Sequence, residues 1–201
     1  MIRVLIAEDQ GMVRGALATL LGLEPDIEVV AQVGRGDEVV PAAERAHADV
    51  ALLDIEMPAL DGLEAAAALH RAMPNCVILM LTAFGRPGFL RRAMEAGASG
   101  FIVKDGPAEE LADTIRRAVA GARVIDPALA AAALSAGPNP LTERERDVLA
   151  AAADGSAITA IAKRLFISEG TVRNHLSSAI QKTGARNRIE AVRQAEASGW
   201  L

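Results

Sequence analysis

Aromatic residues and cysteines are scarce in this sequence. Its 201 residues include four phenylalanines, one tryptophan and no tyrosine, while 51% of them are apolar. We therefore expect a core built from aliphatic side chains and alanine. The single cysteine, Cys76, has no partner for an internal disulfide, which excludes the small disulfide-stapled class of protein. Because it opens an apolar run, Cys76 is predicted to be a small buried hydrophobe.

Long apolar runs are also missing. The longest stretches have the length of a strand and fall well short of the roughly 20 residues that a transmembrane helix needs. Residues 1–4, Met-Ile-Arg-Val, lack the basic segment followed by an apolar segment that marks a secretion signal. We therefore expect a soluble, cytoplasmic protein with no membrane insertion.

The net charge of −5 is unevenly distributed along the chain. Residues 1–138 carry 12 Lys and Arg against 19 Asp and Glu, a balance of −7. Residues 139–201 carry 9 against 7, a balance of +2. An acidic first part joined to a basic tail favours nucleic-acid binding by the tail. Ordinary solvated surfaces explain the same charges equally well.

Strand-like apolar runs alternate with helix-length segments through about residue 120. This alternation predicts an α/β domain with a five-stranded parallel sheet that helices cover on both faces. The predicted strands are at about 2–7, 27–33, 49–54, 76–81 and 99–103. The predicted helices are at about 10–22, 36–46, 62–72, 86–96 and 107–120.

The remainder of the chain is predicted to be helical. Residues 1–121 form the first domain, and the segment 122–138 is a linker whose Ala-rich part, 128–134, is predicted to be a short helix. Residues 139–201 form a second, all-α domain. A capping-box pattern at 142–145 opens its first helix. Its four predicted helices are at about 142–154, 158–165, 169–183 and 187–197.

Four predicted strands end in polar side chains that could form one site, because the carboxyl ends of parallel strands meet at one edge of a sheet. Converging carboxylates repel one another, and Mg2+ removes that conflict by binding carboxylate and phosphate oxygens. A carboxylate there can attack a phosphoryl group whose charge a lysine stabilises. Each residue alone is more often a cap or turn residue, but together they favour phosphoryl chemistry. They are Glu8 with Asp9, Asp54, Thr82 and Lys104.

Residues 1–121 resemble the receiver domain of two-component response regulators. The resemblance implies a flavodoxin-like fold in which Asp54 accepts phosphate from a sensor histidine kinase. It also implies that Thr82 and Phe101 form a switch pair and that Lys104 stabilises the phosphoryl group. Phe101 replaces the tyrosine of many receivers. The implied Mg2+ ligands are Glu8, Asp9, Asp54 and the backbone carbonyl of Glu56. The motifs that carry the resemblance are 8–9, 54–58, 61–62, 82–83 and 100–105.

The predicted helix at 169–183 has an apolar stripe and an opposite face of small polar residues with Arg173. That composition suits a DNA major groove, in which Arg reads guanine and Asn reads adenine. An ordinary amphipathic bundle with a solvated polar face gives the same pattern. His175 is predicted to be half-packed, because no metal-ligand partner lies at a suitable spacing.

Residues 139–197 resemble the output domain of the LuxR/NarL (FixJ) family through the segments 141–145, 167–176 and 184–188. The resemblance implies base contacts by Arg173, Asn174 and Ser177, and backbone contacts by Thr171, Lys182 and Arg188. Residues 158–162, Ile-Thr-Ala-Ile-Ala, replace the usual Asn-Lys/Arg-Glu-Ile-Ala, which removes polar and charged side chains from that helix.

The combined prediction is a transcriptional regulator that phosphorylation of Asp54 converts to a homodimer on promoter DNA, with RNA polymerase as a further partner. Within the family, the chain looks closest to regulators of a lipid-desaturase gene. We expect no enzyme activity beyond slow autodephosphorylation. Two alternatives stay open: a phosphate-independent regulator whose receiver only dimerises, and a Mg2+-dependent phosphohydrolase that uses Asp54.

Overall fold

A computed structural model gives the fold of residues 1–82, 87–104, 109–127, 129–131 and 139–201. The chain divides into two compact units, an α/β unit and a helical unit, and each is described by itself. Within the residues described, no helix combines the length and the apolar character that crossing a bilayer requires.

The α/β unit is built on a parallel sheet with the strand order β2-β1-β3-β4-β5-β6. The order of the first five strands is that of a flavodoxin-like doubly wound sheet, as predicted. The strands are β1 (Ile2–Ala7), β2 (Ile27–Val33), β3 (Val50–Asp54), β4 (Val77–Thr82), β5 (Gly100–Val103) and β6 (Val124–Ile125). All five residues of β3 are buried, because this strand lies between β1 and β4 and both of its faces are covered.

The helices of this unit connect consecutive strands, as parallel pairing requires. They are α1 (Gly11–Leu21), α2 (Val39–Ala46), α3 (Gly62–Ala72), α4 (Pro87–Glu95) and α5 (Glu109–Val119). A 3-10 turn, Gly36–Glu38, precedes α2. One group of core side chains consists of Val4, Ile6, Leu21, Ile27, Val50, Leu52, Leu79, Leu81, Leu111, Ala112, Ile115 and Ala118.

The expectation of five strands is corrected by β6, which lies inside the predicted linker 122–138. Val124 and Ile125 pair with Gly100 and Phe101 of β5. Two residues are too few for a strand pattern to be visible in the sequence. Residues 127 and 129–131 are helical. Residues 128 and 132–138 lie outside the described residues, so the remainder of the predicted linker helix stays a prediction.

The start of α3 packs directly on the end of β3. Asp61 caps α3 by accepting the Glu64 N–H, and the Glu64 side chain accepts the Asp61 N–H in return. The N–H of Gly62 donates to the carbonyl of Ile55 over 2.9 Å. A Cβ at Gly62 would overlap the carbonyl oxygen of Asp54, so this approach requires glycine.

Cys76 is buried, as predicted. Burial raises the pKa of its thiol to about 11, and the nearby charge of Asp49 contributes to the increase. The thiol is therefore un-ionised near neutral pH and behaves as a small apolar side chain.

The helical unit contains the four predicted helices. They are α6 (Glu143–Ala151), α7 (Ile158–Leu165), α8 (Glu169–Thr183) and α9 (Arg188–Ala197). Phe166, at φ +56°, ends α7 in the left-handed conformation, and Gly184 ends α8 in the same way. The core of this unit is Leu141, Val148, Leu149, Ala151, Ala152, Ile161, Ala162, Val172, Leu176, Ala179, Ala191, Val192 and Ala195.

A buried carboxylate joins α6 to α8. Glu145 completes the capping box with Thr142, and its Oε2 accepts the Thr142 N–H over 2.7 Å. Its Oε1 accepts the Ser178 hydroxyl over 2.5 Å, and Lys182 Nζ lies 2.9 Å from Oε1 and 2.7 Å from Oε2. Burial raises the pKa of Glu145, but these bonds outweigh burial and hold the pKa at about 2.

The same substitution at two glycines tests the contact between β3 and α3. We expect Gly62→Ala to lower the free energy of unfolding of the α/β unit by about 1–3 kcal/mol, because the methyl group forces the backbone apart. Gly15, in α1, has open space where an added methyl group would lie, so Gly15→Ala should raise it by about 0.5–1 kcal/mol. Urea titrations followed by far-UV circular dichroism measure both, and equal effects would contradict the close approach.

The Glu145 network predicts a pH dependence for the helical unit. Because the folded pKa lies below the unfolded one, the carboxylate stabilises the unit above about pH 4.5, and this stabilisation is lost as the pH falls toward 2. We expect Glu145→Gln to cost about 1–3 kcal/mol near neutral pH and to flatten the acid limb of the stability curve. Trp200, the single tryptophan, packs against this core, and its fluorescence reports the transition. An unchanged acid limb would be the contrary result.

Candidate functional site

The ends of β1 and β3 bring the predicted acidic residues together. One carboxylate oxygen from each of Glu8, Asp9 and Asp54 lies within 4.8 Å of the others. Glu8 and Asp54 are buried, while Asp9 is exposed. The cluster sits where β1 and β3 are neighbours although α1, β2 and α2 separate them in the chain, which is the switch point at which sheets of this kind bind ligands.

Lys104, directly after β5, places its ammonium group between two of these carboxylates. Its Nζ lies 2.6 Å from Glu8 Oε2 and 2.9 Å from Asp54 Oδ1. Burial by itself would lower the pKa of Lys104, but the bonds to Glu8 and Asp54 outweigh burial and raise it. The ammonium therefore stays charged and offsets part of the negative charge of the cluster.

The three clustered carboxylates carry more negative charge than the Lys104 ammonium neutralises, and Glu8 is affected by this excess. Burial raises the pKa of its carboxyl against the opposing bond from Lys104, and the charge of Asp54 raises it further. Its Oε2 is buried and is contacted by the Lys104 ammonium at 2.6 Å, so Glu8 shares one positive charge with Asp54. A buried carboxylate oxygen of this kind, beside two further carboxylates, fits a hard divalent cation.

Of the other predicted residues of the pocket, Thr82 ends β4 and Glu56 follows β3, while Phe101 lies near the start of β5. Thr82 is the last residue of β4 and is buried, and its carbonyl accepts the Lys104 N–H over 2.8 Å. Phe101 is buried in β5 and pairs with Met80. Glu56 lies two residues after Asp54, with its side chain exposed. The Asp54 carboxylate is fixed by the Ile55 N–H, which donates to Oδ1 over 2.9 Å.

Arg14 also contacts the loop that carries the acidic residues, although its sequence pattern did not predict this role. It lies in α1, and its guanidinium donates to the backbone carbonyl of Glu8. The bond ties the first helix to the loop that carries the acid pair. Arg14 follows Asp9 by five residues, so the sequence places it on a helix that begins beside the pocket. The sequence does not indicate that its guanidinium binds a backbone carbonyl.

In the helical unit, the face of α8 that is predicted to contact DNA bases is exposed to solvent. Its apolar stripe, Val172, Leu176 and Ala179, is buried. Arg173, Asn174 and Ser177 are exposed, and Thr171 is half-buried in the first turn. Ser168 caps the helix by accepting the Thr171 N–H over 3.1 Å. The side chains predicted to contact bases therefore share one exposed surface.

Three of the predicted DNA-contacting cations already have partners within the helical unit. Arg173 Nη2 lies 2.9 Å from Glu169 Oε2, one turn before it on α8. Lys182 is held by Glu145 as described. Arg188 donates to the carbonyls of Ser156 over 3.0 Å and Gly155 over 3.3 Å.

These partners indicate different roles for the three cations. Lys182 and Arg188 stabilise the helical unit through contacts to α6 and to the loop between α6 and α7. Their predicted contacts to the DNA backbone stay predictions. The pairing of Arg173 leaves its side chain exposed.

Comparisons with known proteins cover both units. Residues 4–116 match the response regulator receiver domain, and residues 139–195 match the luxR family of bacterial regulatory proteins. The chain is 45% identical over the full length of both chains to the transcriptional regulatory protein DesR of Bacillus subtilis (strain 168). It has the same identity and coverage with an uncharacterized transcriptional regulatory protein of that organism, YvfU.

A solved structure agrees with this match. The crystal structure of the response regulator ChrA, from a heme-sensing two-component system, superposes with a TM-score of 0.59 at 32% identity. That alignment covers 100% of this chain and 98% of the other. The chain therefore belongs to the response regulators of the LuxR family, and it is a transcriptional regulator with a receiver domain followed by a LuxR-type DNA-binding domain.

Proposed function

We propose that Asp54 is the phosphoacceptor through which a sensor histidine kinase controls this regulator. The observation that carries the proposal is the Lys104 ammonium, which contacts both Glu8 and Asp54 at the ends of their strands. Asp54 Oδ1 is engaged by Lys104 and by the Ile55 N–H. We therefore assign the attack to Oδ2.

In the proposed transfer, Asp54 Oδ2 forms a bond to phosphorus while the phosphorus–nitrogen bond of a phosphohistidine breaks. The leaving imidazole nitrogen keeps the electron pair of that bond. Charge spreads over the phosphoryl oxygens during transfer, and Lys104 is placed to stabilise it. The fixed Oδ1 orients the carboxylate before the reaction, which lowers the entropic cost of attack.

Mg2+ is the proposed cofactor, with Glu8, Asp9, Asp54 and the backbone carbonyl of Glu56 as its ligands. The fit rests on the buried Glu8 oxygen and on the closeness of the three carboxylates. Bound there, the ion would neutralise carboxylate charge and the negative charge that develops on the phosphoryl oxygens.

The proposed output is a shift of a pre-existing equilibrium toward a homodimer that binds promoter DNA. Thr82 would donate its hydroxyl to the phosphoryl group, and Phe101 would respond as its switch partner. The paired domains place two copies of α8 on half-sites about one helical turn apart. The residues proposed to contact DNA are Thr171, Arg173, Asn174, Ser177, Lys182 and Arg188.

We further propose that the receiver loses its phosphate by slow autodephosphorylation only, as an acceptor rather than a turnover enzyme. RNA polymerase as a partner and a lipid-desaturase gene as a target stay predictions from the sequence.

Binding of Mg2+ should stabilise the α/β unit, because the three carboxylates converge only in the folded state. At ten times its dissociation constant, the ion should add about 1.4 kcal/mol to the free energy of unfolding. We expect Asp9→Asn to weaken this effect, measured by differential scanning calorimetry across a MgCl2 titration. Asp37→Asn is the matched control, since Asp37 pairs with Arg35 on the surface. Equal Mg2+ effects in the two variants would contradict the ligand assignment.

Acetyl phosphate with Mg2+ should add one phosphoryl group to the full chain, detected by intact-mass spectrometry. Asp54→Asn should abolish the addition because it removes the nucleophile, and Asp37→Asn should retain it. Phosphate on the Asp54→Asn chain would overturn the assignment.

A sizing column and a phosphate-release assay, run on the same samples, separate the alternatives. The proposal predicts dimers that form on phosphorylation. Dimers independent of phosphate indicate the phosphate-independent regulator. Rapid release of phosphate from acetyl phosphate without accumulation of the phosphorylated chain indicates the phosphohydrolase.

A further inference from the structure

We infer that Glu169 is a positioning residue that sets the base preference of Arg173, with Thr159 fixing Glu169 in turn. This inference rests on the proposed DNA-reading role of α8 and assigns an acidic residue to it. Its basis is a chain of two bonds. Arg173 Nη2 lies 2.9 Å from Glu169 Oε2, and the Thr159 hydroxyl donates to Glu169 Oε1 over 3.2 Å.

The two bonds use different oxygens and come from different helices. Glu169 is the first residue of α8, where the helix dipole favours a carboxylate. Thr159 lies in the first turn of α7. A guanidinium on an exposed helix face samples many rotamers, but here its anchor is itself held from the neighbouring helix. The direction of Arg173 is thus tied to the packing of α7 against α8.

The pairing leaves Arg173 able to read DNA. A guanidinium has five N–H donors in a planar fork, and the bond to Glu169 comes from Nη2. Nη2 carries a second N–H, which together with a donor on a neighbouring nitrogen can still meet O6 and N7 of a guanine. Ordering the fork before binding reduces the entropy that recognition would otherwise lose.

The contribution of this ion pair to the folding stability of the helical unit is too small to explain its presence. The side chains of Arg173 and Glu169 are 59% and 44% exposed, and exposed pairs contribute little to folding. A carboxylate beside DNA also opposes binding to any phosphate backbone. Glu169 therefore weakens sequence-independent affinity while it orients the arginine that discriminates bases.

The residue at position 159 permits this arrangement. A basic side chain there would compete with Arg173 for the same carboxylate. The threonine hydroxyl instead holds one oxygen and leaves the other to Arg173.

The test is selection from a random-sequence library of double-stranded DNA by the full chain after acetyl phosphate treatment, followed by affinity measurements on the selected DNA and on single-base variants. Arg173→Ala should lose the preference at one base pair and also bind all DNA more weakly. Glu169→Ala should reduce the preference at that same base pair by about three- to fivefold, the upper range for an exposed pair. Its affinity for unselected DNA should be equal or higher.

Two further variants complete the comparison. Thr159→Val should also reduce the preference at that base pair. Combining it with Glu169→Ala should cause no further reduction, because both substitutions act through one chain of bonds. Glu190→Ala is the matched control. Glu190 forms an ion pair with Arg186 at the same four-residue spacing but outside α8, and its loss should leave the preference unchanged.

The outcomes separate this inference from the proposed function. If the unaltered chain selects no sequence, the DNA-reading function itself fails. If it selects a sequence and Glu169→Ala keeps every preference, or changes it only as Glu190→Ala does, the inference is overturned. Circular dichroism checks folding, and if Glu169→Ala does not fold, Thr159→Val decides by the same criterion because it retains the carboxylate.

Discussion

The contact of the Lys104 ammonium with the carboxylates of Glu8 and Asp54 is the interaction on which the α/β unit depends. The strand order makes β1 and β3 neighbours, so their terminal acids converge at one edge of the sheet. Two buried carboxylates at such a separation would oppose folding. Because β5 delivers Lys104 to the same edge, the fold tolerates the cluster, while its remaining negative charge keeps it suited to a cation and a phosphoryl group.

Much of this arrangement could be predicted because it follows from repeated local signals. The apolar runs indicated the positions of five strands, and polar residues at strand ends have one edge in common whatever the packing details. The capping box at Thr142 marked a helix start correctly. The strand β6 was missed because its pairing with β5 is a tertiary contact, and two residues carry no periodicity.

Contacts between helices could not be predicted in the same way. Glu145 and Lys182 are 37 residues apart, and their approach depends on how α6 packs on α8. The bonds from Arg14 and Arg188 end on backbone carbonyls, which every residue has, so the sequence does not indicate which one is chosen. The sequence did identify the exposed face of α8. It did not show that Arg173 and Lys182 each have an acidic partner, with one partner exposed and the other buried.

The Glu145 carboxylate has a mechanical consequence. One oxygen of this side chain holds the backbone N–H of Thr142, near the point where the chain enters the helical unit, and both oxygens hold the Lys182 ammonium on α8. The entry point and α8 are thus linked through one hydrogen-bonded carboxylate, in addition to the apolar core that α6 and α8 share. One side chain therefore joins the start of α6 to the last turn of α8, so a rotation of α8 about its own axis would have to break these directional hydrogen bonds.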